Sequence, residues 1–236
     1  MTQSPPIRRV SLRGAETDDD LSPLTVTDDD ADAIVAVGPA AVERAALADA
    51  DTPILVVDAD DGRHGARRDA LADAATALAN GAYRSVTHAV LDVDVDGECL
   101  GRAAFDVTLM TGETARISEY AVSAAGERLF DVRADGVVVS TPLGSAGYGR
   151  AAGGPVVTPG GGLSVVPVAP FSTRANPWVL PGPLSLGVER DDDVSLFVDG
   201  DERCRVGPDE PVDIAAAGEF TCLRPLLEEP PELEKH

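Results

Sequence analysis

Between Asp135 and Pro155 the chain reads DGVVVSTPLGSAGYGRAAGGP, and Thr141, Ser145 and Tyr148 within it carry hydroxyls suited to holding a ligand. They stand among Gly144, Gly147, Gly149, Gly153 and Gly154. Glycines let a backbone come close to a ligand and leave N–H groups unshielded. The β-branched run Val137–Val139 ahead of them suits a strand, and Ser145 stands where an N-cap would open a short helix over Ala146–Ala152. Strand, Gly/Ser/Thr turn and helix start together make a layout that holds phosphate or ribose oxygens. The same composition also serves as a plain packing turn.

Other groups with chemistry are fewer. Asp58, Asp60 and Asp61 follow an apolar run, at the edge where α/β sheets bind ligands, although an acidic cluster also fits a solvated loop. His64 and His88 have no serine partner in a hydrolase context, and no G-x-S-x-G elbow occurs. Cys99, Cys204 and Cys222 match neither a zinc pattern nor a disulfide framework, and read as buried thiols in a reducing compartment.

The elements that must position these groups fall into two textures. Ile7–Leu12 and Leu24–Val26 suit short strands, and Ala33–Val37 (AIVAV) and Ile54–Val57 (ILVV) suit buried parallel ones. Pro39–Asp49 is expected as a helix with proline in its first turn. Arg67–Ala79 is expected as a second, with Leu71, Ala74, Ala75 and Leu78 on one face and Asn80-Gly81 as its C-cap. After Gly81 come extended stretches separated by Gly, Pro and Asp. Val86–Val95 and Leu100–Met110 flank Asp96-Gly97, Arg116–Ser123 and Arg128–Arg133 flank Ala125-Gly126, and Asp199-Gly200 marks a third hairpin. Further short strands are expected at Val137–Ser140, Leu163–Val168, Trp178–Leu180, Leu184–Val188, Val194–Val198, Arg203–Val206 and Phe220–Leu223. Trp178 reads as core or interface. The expected organisation is α+β: a small N-terminal α/β domain with a parallel sheet over residues 1–81, a larger all-β, sandwich-like domain over 82–224, and a polar tail over 225–236.

Charge excludes some partners. There are 41 acidic against 19 basic residues, a net −22, and Lys235 is the only lysine. Nucleic acid and anionic membranes are disfavoured by that field. Such an acidic, lysine-poor surface suits a halophilic cytoplasm, where a Debye length of about 3 Å at molar salt removes self-repulsion. No apolar run reaches the ~18–20 residues that span a bilayer, and MTQSPPIRRV lacks the apolar core of a secretory signal.

DGVVVSTPLGSAGYGRAAGGP resembles the DG-x-x-x-STPTGSTAYS-x-SAGGP signature of the NAD kinase family. Weaker similarity runs from about Asp32 to Leu226. The resemblance implies that family's architecture, and phosphorylation of the 2′-hydroxyl of the adenosine ribose of NAD by ATP or polyphosphate with a divalent metal. It places the family's GGDG motif on Gly38-Pro39-Ala40-Ala41, where only the first glycine matches. Pro39 has no N–H for a donor phosphate, Ala40 replaces the aspartate that accepts the hydroxyl proton or positions metal, and Ala41 adds a Cβ. Ile7–Asp32 also leaves little room for the helix that relatives carry before this motif.

The resemblance further places the Asn-Asp or Asn-Glu pair that holds the adenine end on Phe105-Asp106. It implies NAD(P) or nucleotide contact by Phe105, Asp106, Asp135, Thr141, Gly144, Ser145 and Tyr148. Leu143, Ala146, Gly147 and Ala151 replace the more usual Thr, Thr, Ala and Ser, and Phe171 stands near a position that is often His. Three readings stay open. In the first, the chain is a kinase homologue that has lost phosphoryl transfer and kept an NAD(P)-like site. In the second, it is a working divergent kinase that recruits Asp60, Asp61 or Asp106, with Mg2+ required only here. In the third, it is a structural homologue that binds nothing. A homo-oligomer, dimer or tetramer, is expected from the same resemblance.

Overall fold

The computed structural model describes residues 4–14, 20–48, 51–59, 62–112, 117–190 and 194–227. The chain divides into two compact units, one drawn from Met1–Ala45, Asp51–Val86 and Thr221–His236, the other from Ala46–Ala50 and Thr87–Phe220.

In the first unit, β1 (Arg9–Arg13), β2 (Thr25–Val26), β3 (Ala33–Val37) and β4 (Ile54–Val57) form a parallel sheet in the order β2-β1-β3-β4. Every residue of β3 and β4 is buried, which accounts for their unbroken apolar runs. Helix α1 (Pro39–Ala48) follows β3, and α2 (Leu71–Ala79) follows β4 and a 3-10 turn at Arg68–Ala70. Leu71, Ala74, Ala75 and Leu78 of α2 are buried as their spacing predicts, and they share a core with Val35, Val37, Leu55 and Val57.

The second unit is a pair of antiparallel sheets. Its strands are β5 (Tyr83–Val95, whose first residues belong to the first unit), β6 (Glu98–Ala103), β7 (Asp106–Thr111), β8 (Ser118–Ala124), β9 (Glu127–Ala134), β10 (Gly136–Ser140), β11 (Leu163–Val168), β12 (Trp178–Leu180), β13 (Leu184–Val188), β14 (Val194–Val198), β15 (Asp201–Val206) and β16 (Val212–Pro225). One sheet has the order β12-β11-β10-β7-β14-β15. The other runs β16-β13-β8-β9, with β5 pairing β16 and β6. Leu109, Val137, Val139, Val165 and Leu196 from the first sheet meet Tyr120, Val122, Leu186 and Ile214 from the second in one core. At the three hairpins both turn residues take positive φ, 50° and 87° at Asp199-Gly200 for example, as tight hairpin turns require. A parallel-sheet unit with helices, followed by a larger antiparallel β unit, is the fold class expected from the sequence.

Local expectations are corrected at several points. Leu100–Met110 is two strands, because the chain breaks at Ala104-Phe105 and passes from β6 in one sheet to β7 in the other. Phe220–Leu223 is only part of the 14-residue β16, whose first residues, Val212–Ile214, pair with β13 and which also pairs with β5. β16 continues into the first unit, where Cys222 lies opposite Ile54 of β4. The buried-thiol reading holds for Cys222 alone, since Cys99 just past the Asp96-Gly97 turn is exposed and Cys204 is half-buried. Trp178 is 44% exposed at the edge strand β12, stacked on Phe130 at 5.1 Å between ring centroids. At the expected tail, Pro225 ends β16 and the Leu226 N–H donates to the Ala82 carbonyl. Residues 228–236 lie outside the described residues.

Candidate functional site

The Asp135–Pro155 stretch begins as β10, central in its sheet between β7 and β11 and wholly buried. It then turns at Thr141. The Thr141 N–H donates to the Phe105 carbonyl at 2.8 Å, and the Thr141 hydroxyl donates to the Ala104 carbonyl at 2.7 Å while accepting from the Gly144 N–H at 3.1 Å. The turn carrying Thr141 and Gly144 is thus bonded directly to the turn carrying Phe105 and Asp106. Gly144 is required at this contact. A Cβ there would drive into the Phe105 carbonyl.

The expected N-cap at Ser145 is corrected. Ser145 lies within a 3-10 turn, Gly144–Ala146, and the short helix α3 (Tyr148–Ala151) starts after Gly147. The Ser145 hydroxyl donates to the Pro142 carbonyl at 2.8 Å and accepts from the Val157 N–H at 2.9 Å, so it closes the loop on itself. The reason is burial. Thr141 and Ser145 are fully buried, and their hydroxyls satisfy backbone groups that water cannot reach.

Of the candidate residues, those with accessible surface are Phe105 and Asp106, both half-buried, the half-buried Asp135, and Tyr148, which is 41% exposed. Burial, and then the neighbouring Asp199 carboxylate, push the Asp106 carboxyl up to about 6. A hydrogen bond from the Thr108 hydroxyl at 3.3 Å opposes this. Asp106 and Asp135 in turn raise the Tyr148 phenol, after burial as the larger cause. Asp106 and Tyr148 therefore share one electrostatic neighbourhood, with Asp135 close to Tyr148.

One contributor was missed in the sequence reading. Asp199 accepts from the backbone N–H groups of Ala104, Phe105 and Asp106 at 2.7, 2.8 and 2.9 Å. Its only local signal was the Asp199-Gly200 hairpin turn.

The Gly38–Ala41 segment is a helix start. The Gly38 N–H donates to the Val57 carbonyl at 2.8 Å, and the N–H groups of Ala41 and Val42 both donate to the Gly38 carbonyl at 3.1 Å. Ala41 is buried, and Gly14 makes the close approach to it that a Cβ would block. Asp58 follows β4 as expected. It accepts from the Arg68 N–H at 2.8 Å and lies 3.7 Å from the Arg68 guanidinium. Asp60 and Asp61 lie outside the described residues. His64 and His88 are buried, with His88 stacked on Phe220. Among the described residues no three His, Cys, Asp or Glu side chains gather into a metal-binding group. Among the described residues, too, no helix is long and apolar enough to cross a membrane.

Residues 105–222 match the family model of the ATP-NAD kinase C-terminal domain, a range that takes in Phe105, Asp106, Asp135 and Tyr148. The NAD kinase of Methanosarcina acetivorans is 38% identical over 128 residues, 52% of this chain and 46% of that protein. The chain spans about half the length of the curated relatives it matches first. Two solved structures share the fold. Yeast NADH kinase complexed with NADH has a TM-score of 0.71 at 15% identity, covering 93% of this chain and 84% of that one. An NAD kinase from Archaeoglobus fulgidus in complex with ATP has a TM-score of 0.66 at 19% identity, covering 92% of each. With half of its residues matched to that domain, the turns that frame Asp106 and Tyr148 included, the chain belongs to the NAD kinase family.

Proposed function

We propose that this chain binds an NAD(P)-type nucleotide through Phe105, Asp106, Asp135 and Tyr148, with Thr141, Gly144 and Ser145 as the frame beneath them, and that it does not transfer a phosphoryl group. One contrast carries the reading. The Phe105–Asp106 turn is bonded into the Thr141–Ser145 turn and carries a half-buried carboxylate close to the part-exposed Tyr148 phenol. At Gly38–Ala41, by comparison, the backbone donors are absorbed by Val57 and by the helix itself. Pro39 has no N–H, and Ala40 offers no carboxylate to accept a proton or hold metal. The relatives bound to NADH and to ATP support a nucleotide as the ligand.

Thermal melts in 2 M KCl with NAD, NADP, ATP and ADP-ribose test this. Saturation at about 100 Kd adds about 2.7 kcal/mol, a clear rise in Tm. No shift with any of the four overturns the reading in favour of a structural homologue. Formation of NADP from NAD with ATP or polyphosphate at an ordinary enzymatic rate overturns the loss of transfer.

One observation favours the second reading, an active divergent kinase. Asp106 has its carboxyl lifted to about 6, in the range where a carboxylate serves as a general base near neutrality. That reading requires Mg2+-dependent NADP formation that Asp106→Asn abolishes, or that changes at Asp60 or Asp61 abolish.

The composition supports a cytoplasm at high salt. A homo-oligomer is supported by the exposed edge bearing Phe171, Trp178 and Val179. Arg133 and Arg174 line a cleft of about 360 Å³ beside it whose one acidic lining residue is Asp131, so this edge is locally less acidic than a chain of net −22. Sedimentation in 2 M KCl that finds only monomers sinks the oligomer.

A further inference from the structure

We infer that Asp199 is the positioning residue of the ligand-contacting turn, holding Phe105 and Asp106 in place from a hairpin more than ninety residues further along the chain. The inference rests on the nucleotide-binding reading above.

Asp199 takes positive φ in the β14–β15 turn, a conformation that Asp tolerates, and this aims its carboxylate at the chain break between β6 and β7. Oδ2 accepts from the Ala104 N–H, and Oδ1 accepts from both the Phe105 and Asp106 N–H groups. Ala104 and Phe105 lie between β6 and β7, where the chain leaves one sheet for the other, and Asp106 opens β7. On the opposite side the Phe105 and Ala104 carbonyls are taken by Thr141, through its N–H and its hydroxyl respectively. The turn is therefore gripped on its N–H side by Asp199 and on its carbonyl side by Thr141. Burial raises the Asp199 carboxyl above its ordinary value, and the three N–H donors, with Arg203, oppose that rise. A charged Asp199 beside Asp106 sets how readily Asp106 gives up its proton. The groups facing Asp106 are Asp199 from the hairpin, Thr108 from its own strand and Tyr148 from α3, with Asp135 behind Tyr148 and Arg203 behind Asp199.

The two contributions, geometry and charge, separate experimentally. NAD affinity is measured by titration in 2 M KCl from pH 4.5 to 8.5 for the wild type, Asp199→Asn and Thr141→Val. Ribose hydroxyls donate to an ionised Asp106, so wild-type binding strengthens as pH rises through about 6. Asp199→Asn replaces one acceptor oxygen by an amide and removes the charge. It is expected to weaken NAD by about tenfold and to move the pH midpoint of binding downward. Thr141→Val releases the other side of the turn with the charge intact, so affinity falls and the midpoint stays. Asp199→Asn with wild-type affinity and midpoint overturns the inference. If that variant does not fold, Thr141→Val decides. Affinity lost at an unmoved midpoint supports the gripped turn, and unchanged affinity overturns it. A wild type that fails to bind NAD at any pH is the separate failure of the nucleotide-binding reading.

Discussion

Asp106 and Asp199 are tied to each other twice through the backbone: the Asp106 N–H donates to Asp199 Oδ1 at 2.9 Å, and the Asp199 N–H donates to the Asp106 carbonyl at 2.9 Å. The pairing fixes two carboxyl-bearing residues side by side against their mutual repulsion. It makes the turn at Phe105-Asp106 a built feature of the β unit.

Asp106 lowers stability at neutral pH. Its carboxyl is raised to about 6 in the folded chain from an ordinary 3.8. Well below pH 3.8 it is protonated in both states and contributes nothing. As pH rises through 4 to 6 the unfolded chain ionises first, so folding loses stability, and the loss is complete above about 6. Asp106→Asn is expected to stabilise the chain by on the order of 2 kcal/mol at pH 8 and by little at pH 4. Paired chemical-unfolding curves at the two pH values measure this. Equal effects at both would show that the carboxyl is not lifted.

Gly144→Ala is expected to cost about 2 kcal/mol or more, because the new Cβ meets the Phe105 carbonyl, a backbone atom that cannot swing away. Gly187→Ala on β13 is the control. Its Cβ would meet Ala121 and Glu189 at ordinary contact distances of 3.6 and 3.7 Å, so it should stay within about 0.5 kcal/mol of wild type. Similar losses from both would remove the special status of Gly144.

Salt should raise Tm. The ion pairs found at the surface, such as Arg67–Asp69 at 3.0 Å and Arg128–Glu189 at 3.0 Å, are exposed and contribute little. The dominant surface effect is repulsion at net −22. From 0.1 to 2 M KCl the gain in Tm should be on the order of 10 °C. A flat response in a melt series would place the chain outside a high-salt setting.

Ala40→Asp alone should yield no detectable NADP. The side chain would return a carboxylate, but Pro39 still lacks its N–H and the Gly38 N–H remains bonded to Val57. Turnover by that single variant in a coupled assay would show that the missing carboxylate was the whole deficit.

Legibility in the sequence followed how local each cause was. AIVAV and ILVV became β3 and β4 with the boundaries read for them, because burial on both faces leaves an uninterrupted apolar run. The hairpin turns announced themselves as Asp-Gly and Ala-Gly pairs. The break at Ala104-Phe105 did not, since the acceptor that permits it is Asp199, 93 to 95 residues away. The middle of β16, Ala215–Gly218, shows neither alternation nor apolar bulk, and it is extended only as part of the longer strand. In the site the residue types were readable but their division of labour was not. Thr141 and Ser145 look like ligand hydroxyls in one dimension, and only burial shows that they serve the loop itself.

The stacked Phe130–Trp178 pair gives the molecule a built-in optical probe. Trp178 is the one tryptophan of the chain and lies in the second unit with Tyr120 and Tyr148, while the first unit carries only Tyr83. Fluorescence excited at the indole band therefore reports on the β unit alone, while far-ultraviolet dichroism sums over both. Superimposing the two unfolding traces reads out whether the units melt as one cooperative body or in succession, with no label attached.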